Sequence, residues 1–174
     1  WIQIVCAKAR QMDDEMIYYA ALANMAELLL YGCTTTTDML YIFPKGKKGW
    51  MEATIRAAQD IGIRFHPYRG SMSLSQKDGA MFPDDVVQDS DTIASETESL
   101  IRAYHAADDH SMLKIGVAPC TIFTSSEQDY RYAALLSQKY GVNLQTHLSE
   151  SAFENEYSIK KFRKRPLAYL CDLG

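Results

Sequence analysis

The chain has 174 residues, 47% of them hydrophobic, and a formal net charge of −4 with its basic residues scattered. That is enough apolar sequence for a substantial core. It excludes the strongly basic nucleic-acid-binding class, and no run approaches the roughly 20 apolar residues of a membrane-spanning helix. The four cysteines, Cys6, Cys33, Cys120 and Cys171, are far apart and form no CxxC pair. They read as free thiols of a reducing compartment, and with no secretory signal visible the expected location is the cytoplasm.

Asp13 to Tyr31 reads as a helix with acidic residues in its first turn, where they complement the helix dipole. It ends in Leu28-Leu29-Leu30-Tyr31-Gly32, and a β-branched run, Cys33-Thr34-Thr35-Thr36-Thr37-Asp38, follows at once. The same helix–glycine–strand order returns at Ile61-Gly62-Ile63-Arg64-Phe65-His66 and at Tyr140-Gly141-Val142-Asn143-Leu144. Glycine suits the junction because the residue after a helix often takes a left-handed backbone. Between these copies, Asp91 to Ala106 has helical apolar spacing and Leu113 to Pro119 reads as a buried strand. Thr124-Ser125-Ser126-Glu127 fits a capping box opening the next helix. His105 and His110 flank an acidic, loop-like stretch and are expected in solvent, and Lys160 to Arg165 reads as a solvated helix face. Arg165 to Gly174 repeats the helix–glycine signal a fourth time.

Strands therefore begin near residues 33, 63, 113 and 142, each followed by a helix. That alternation implies an α/β fold with a parallel sheet. The long connections at 39–50 and 68–90 fall on the side where such folds collect active-site loops.

One group carries chemistry. Val142 to Thr146 delivers His147 to the C-terminal end of a strand, and Glu150 follows three residues later. That end faces the catalytic mouth of a parallel α/β protein. There a neutral imidazole can ligate a metal and a carboxylate can move protons for water activated by it. A strand histidine is also commonly a packed core residue, and Glu150 could simply complement a helix dipole. The residues alone leave both readings open. Arg69, just past the strand that begins near residue 63, could anchor a substrate carbonyl through its planar donor fork or serve a structural ion pair. His66 could orient a substrate group or pack in the core, and Cys120 at a strand end could line the pocket.

Glu27 to Pro44, Gly62 to Leu74, Ala118-Pro119-Cys120 and Thr146 to Glu150 resemble the amidohydrolase superfamily, in its branch of 8-oxoguanine deaminases and triazine hydrolases. The resemblance runs in one order along nearly the whole chain. It implies a (β/α)₈ barrel with one divalent metal, zinc or else iron. His147 would be the metal histidine of the fifth strand and Glu150 the proton shuttle. The activity implied is hydrolytic deamination of an amino-substituted heteroaromatic ring, 8-oxoguanine or a related purine. Its alternatives are s-triazine amino- or chlorohydrolysis on the same scaffold, or a non-catalytic half-barrel remnant. The partner implied is a small heteroaromatic molecule, with no nucleic acid and no membrane, and a homodimer is common in the family. Met39 and Gln145 depart from the residues usual at their places.

A catalytic zinc takes three protein ligands plus water, and the four histidines, His66, His105, His110 and His147, include no His-x-His pair. The family draws its other ligands from the first, sixth and eighth strands. With four strands against the roughly 250 residues of a full barrel, residues 1–174 are expected to be a single incomplete barrel domain, strands 2–5, truncated at both ends. Alone it would be inactive and leave two open sheet edges.

Overall fold

Helix and strand boundaries follow local chemistry along residues 2–173, which a computed structural model describes. The elements in order are α1 (Ile2–Gln11), α2 (Asp14–Leu30), β1 (Thr35–Leu40), α3 (Trp50–Ile61), β2 (Arg64–Ser71), a 3-10 turn (Gln76–Asp78), α4 (Ser90–Tyr104), β3 (Gly116–Pro119), α5 (Glu127–Tyr140), α6 (Ala152–Phe162) and α7 (Pro166–Asp172). Asp13 caps α2 by accepting from the Met16 amide, and Asp89 caps α4 by accepting from Thr92. Gly62 and Gly141 end α3 and α5 with φ of 77° and 65°, as the repeated junction requires. Pro166 opens α7 at a position where its missing N–H is not needed. Gly174, the expected end of that helix, lies outside the described residues, as does Trp1.

Two local expectations change. The helix α1 was not evident in the sequence. The capping box of α5 sits two residues later than Thr124, pairing Ser126 with Asp129. Thr124 is engaged elsewhere, its hydroxyl 2.8 Å from that of Thr121 in the turn after β3.

β1, β2 and β3 form one parallel sheet in sequence order, with Thr35 beside Arg64 and Tyr68 beside Gly116. Residues 142–147 continue it as a fourth, irregular strand. The Val117 amide donates to Asn143 O (2.9 Å) and the Gln145 amide to Val117 O (3.0 Å). Two residues on, Pro119 has no N–H to continue the ladder. The next bond is out of register: the His147 amide donates to Cys120 O (3.0 Å), one residue beyond the Pro119 carbonyl that an unbroken ladder would use.

Side-chain alternation separates two environments. On the helix-facing side of the sheet, Phe65, Ile115 and Val117 pack with Met25, Ile55, Ala58, Leu100 and Leu136 from the surrounding helices. On the other side, His66 stacks on Tyr68 with centroids 4.6 Å apart, and the Tyr68 ring lies against Gly116. A second apolar cluster joins Cys6 and Ala9 of α1 to Ile42, Met72, Phe82, Val86 and Cys120. It fastens α1 and the loops after β1 and β2 over the C-terminal ends of the strands. No helix among the described residues is long and apolar enough to cross a membrane.

Gly70 lets the chain after β1 approach β2: a Cβ there would lie 2.5 Å from Tyr41 Cβ and 2.6 Å from Leu40 O. Because backbone and Cβ atoms cannot swing away, Gly70→Ala is expected to destabilise the fold by about 1–3 kcal/mol. A denaturant midpoint unchanged from that of the unsubstituted protein would contradict this packing.

Candidate active site

The slipped hydrogen bond at Cys120 does more than end a ladder. Cys120 O lies 2.9 Å from His147 Nδ1 as well as 3.0 Å from the His147 amide. A carbonyl oxygen only accepts, so Nδ1 carries a ring proton, and in the neutral imidazole Nε2 is then the atom with the bare lone pair. Thr146 also donates to Cys120 O (3.1 Å), and the Tyr130 hydroxyl lies 3.1 Å from the Thr146 hydroxyl, pinning the strand end from the α5 side. The His147 Nε2 atom has no hydrogen-bond partner among the described residues. Its ring meets Tyr41 edge-on, with centroids 5.9 Å apart and planes at 85°.

His147, Cys120 and Glu150 line one cavity of about 340 Å³, together with Tyr41, Phe82 and Phe123. It opens where β1 and β3 deliver their last residues, under the loop that carries Phe82. A larger groove of about 490 Å³ runs between α4 and α5 on the outer surface, lined by Asp91, Glu98, Arg102 and Lys139. Those charges are already engaged: Glu98 pairs with Arg102 along α4 and with Lys139 across to α5, and Asp91 accepts from Gln128 and Tyr132.

Glu150 is exposed, and its carboxylate forms no hydrogen bond or ion pair among the described residues, so it is free to face a ligand. Burial pushes the Cys120 thiol up to about 12, with the Glu150 charge adding to the rise. The thiol therefore stays neutral near pH 7, which suits a pocket wall and not a thiolate ligand. Burial also raises the Tyr41 phenol, again with help from Glu150.

The other two expected site residues are elsewhere. Arg69 stands on the helix-facing side of β2, where it is only 3% exposed. It donates to Gly70 O (2.8 Å), Gln88 (2.5 Å) and Glu96 (3.0 Å) and lies over the Phe43 ring at 4.3 Å. Burial lowers its pKa to about 10, against the pull of Glu96. The guanidinium joins β2 to α4 and is not offered to a substrate; strand parity puts it on the face opposite Tyr68 and Gly70. His66 is on the inner face but lower in the sheet, beside Thr37 and stacked on Tyr68, and does not line the cavity. His105, expected in solvent, is half-buried and accepts from the Ile115 amide at 3.1 Å. Conversely, Tyr41 and Phe123 line the cavity without having been singled out. Both lie just past strand ends, the same signal that marks His147.

The profile described as "Amidohydrolase family" matches residues 1–172. The chain belongs to the amidohydrolase family. It is 33% identical over 174 residues to the 8-oxoguanine deaminase of Pseudomonas aeruginosa (strain PAO1), covering 100% of this chain and 39% of that protein. To the hydroxydechloroatrazine ethylaminohydrolase of Pseudomonas sp. (strain ADP) it is 29% identical over 175 residues, 100% of this chain and 36% of the relative. Among solved structures, the atrazine chlorohydrolase of Arthrobacter aurescens TC1 complexed with zinc superposes with a TM-score of 0.89 at 30% identity, over 94% of this chain and 36% of that one. The triazine hydrolase of the same species superposes with a TM-score of 0.95 at 29% identity, over 100% of this chain and 40% of that one. This amidohydrolase chain is matched in full and spans about 40% of the length of that solved relative. Its parallel β/α units are part of a (β/α)₈ barrel, and the family is one of metal-dependent hydrolytic enzymes. Among the described residues no group of three or more His, Cys, Asp or Glu is placed to hold a metal ion. The fit to a metal here is one ligand atom, His147 Nε2, in a cavity shared with a free carboxylate.

Burial lowers the pKa of both His66 and His105 from the ordinary 6.5. The unfolded chain then binds more protons than the folded one below that value, so folding stability is full above about pH 6.5 and falls as the pH drops through it. His66→Phe, which keeps a ring on Tyr68, is expected to flatten that acid-side loss in urea titrations. An identical pH slope in the variant would show that His66 is not a source of it.

Proposed function

We propose that these residues supply one metal ligand and the proton shuttle of an aminohydrolase that acts on an amino-substituted heteroaromatic ring. The lead substrate class is 8-oxoguanine or a related purine. The observation that carries the reading is the His147 ring with its Nδ1 proton committed to Cys120 O and its Nε2 free, in one cavity with the unpaired Glu150 carboxylate. A divalent ion held at Nε2, with zinc the first choice, would supply the Lewis acidity that makes a water acidic near pH 7. Catalytic zinc needs three protein ligands, so this reading requires further ligands from outside the described residues.

The chain's own residues do the rest. The Cys120 carbonyl holds the imidazole in the ligating tautomer and keeps it from rotating. Glu150 takes a proton from the attacking water and returns it to the substrate. The water oxygen bonds to the amino-bearing ring carbon, the C–N bond breaks, and ammonia leaves with the transferred proton. Tyr41, Phe82 and Phe123 give flat apolar walls suited to a planar ring and limit water in the cavity. The four free cysteines support a reducing compartment, the cytoplasm. The high structural similarity to triazine hydrolases favours a second reading on the same residues, displacement of an amine or halide from an s-triazine.

The test uses the natural full-length polypeptide containing this chain, loaded with zinc and assayed on a panel of aminopurines and s-triazines. Glu150→Gln is expected to lower kcat by about 10²–10⁴-fold with zinc content unchanged, whereas His147→Ala lowers zinc content itself. Full activity in Glu150→Gln would remove the shuttle role, and turnover of no ring in the panel would remove the substrate class.

A further inference from the structure

The turn between His147 and α6 is built on an unfavourable backbone. Ser149 has φ of 57°, a left-handed conformation that non-glycine residues adopt only where neighbours hold them. The residue that holds this turn is Glu154. It is 0% exposed, and its Oε2 accepts from the Glu150 amide at 2.7 Å.

Glu154 occupies the third position of α6, where a carboxylate ordinarily reaches back to the amide of the N-cap residue itself. Asp129 does this at α5, accepting from the Ser126 amide at 2.7 Å. The N-cap of α6 is Ser151, whose hydroxyl accepts from the Glu154 amide at 3.3 Å. The longer Glu154 side chain passes over Ser151 and takes the amide of Glu150 instead. Its other oxygen, Oε1, is buried without a partner, so this placement is costly. A residue that only had to cap the helix could do so in register with a shorter arm.

The geometry points to Glu154 as a positioning residue for Glu150, pinning its peptide so that its carboxylate faces the His147 cavity. The inference rests on the proton-shuttle reading above. Because the Glu150 side chain has no bond of its own, this hydrogen bond to its amide is what holds the Cα from which the side chain reaches toward the cavity. His147 is fixed separately, through Cys120 O, so metal binding and shuttle placement are held by different contacts.

The test compares Glu154→Gln and Glu154→Asp in the zinc-loaded full-length polypeptide. Gln retains an acceptor oxygen at the same reach. Asp can still cap α6 as Asp129 caps α5 but is too short for the Glu150 amide, which keeps the variant folded. Glu154→Gln is expected to keep kcat within about threefold, and Glu154→Asp to lower it by roughly 10–100-fold, with KM and zinc content within about twofold. Hydrogen exchange at the Glu150 amide is expected to accelerate in the Asp variant and not in the Gln variant. Wild-type kcat in Glu154→Asp alongside fast exchange at Glu150 would overturn the role. So would a loss in both variants that tracks zinc content or thermal stability. If Glu150→Gln is itself fully active, the shuttle reading is what fails, and the exchange measurement still decides whether Glu154 holds the peptide.

Discussion

The organisation of the candidate site depends on one carbonyl group. Beyond Val117 the ladder between β3 and residues 142–147 shifts by one residue, and Cys120 O receives both the amide and the ring Nδ1 of His147. A single acceptor thereby fixes the main chain and the side chain of the same residue. The imidazole cannot turn over without losing a hydrogen bond in a half-buried setting, where an unsatisfied group costs about 1–3 kcal/mol. Its remaining nitrogen is thus presented to the cavity as a ready electron-pair donor. Tyr130 and Thr146 brace the same strand end from α5, so the site is anchored to the barrel wall and not to a loop alone.

Around that carbonyl, the two faces of the sheet divide the labour. The outer face buries aliphatic side chains against the helices and uses a buried cation, Arg69, to join β2 to α4. The inner face carries rings and small residues, with Gly70 and Gly116 admitting Tyr41 and Tyr68 at close range. The cavity lies where inner-face chemistry meets the strand ends, walled by side chains from the loops after β1, β2 and β3. Glu150 enters it from a turn that α6 controls through Glu154, so the carboxylate and the imidazole reach one space on separate supports.

Much of this was legible in the residues. The helix–glycine–strand junctions at Gly62 and Gly141 marked the parallel β/α repeat, and the strand-end rule singled out His147 and Glu150, which line one cavity. That rule, applied to every strand, would also have found Tyr41 and Phe123. Arg69 stayed open between a substrate anchor and a structural ion pair because nearness to a strand end was weighed without parity, which favours the ion pair that Arg69 makes with Glu96. Residues 66, 68 and 70 share one face, and 69 belongs to the other. The helix α1 stayed hidden because it has no acidic residue in its first turn to announce it. The capping box slid from Thr124 to Ser126 because Thr124 closes a turn with Thr121, a contact visible only in three dimensions. The Cys120 acceptor was invisible for a similar reason: it arises from the register of a neighbouring strand.

The protonation state of the His147 ring tests the central claim most directly. Nitrogen-15 NMR of the histidine side chains, in the natural full-length polypeptide stripped of metal and then titrated with zinc, reads it without reference to turnover. The expected result is a neutral ring with the proton on Nδ1 and a bare Nε2 whose resonance moves when zinc is added. A ring protonated at Nε2, or zinc binding that leaves the His147 nitrogens unchanged, would contradict the arrangement built on Cys120.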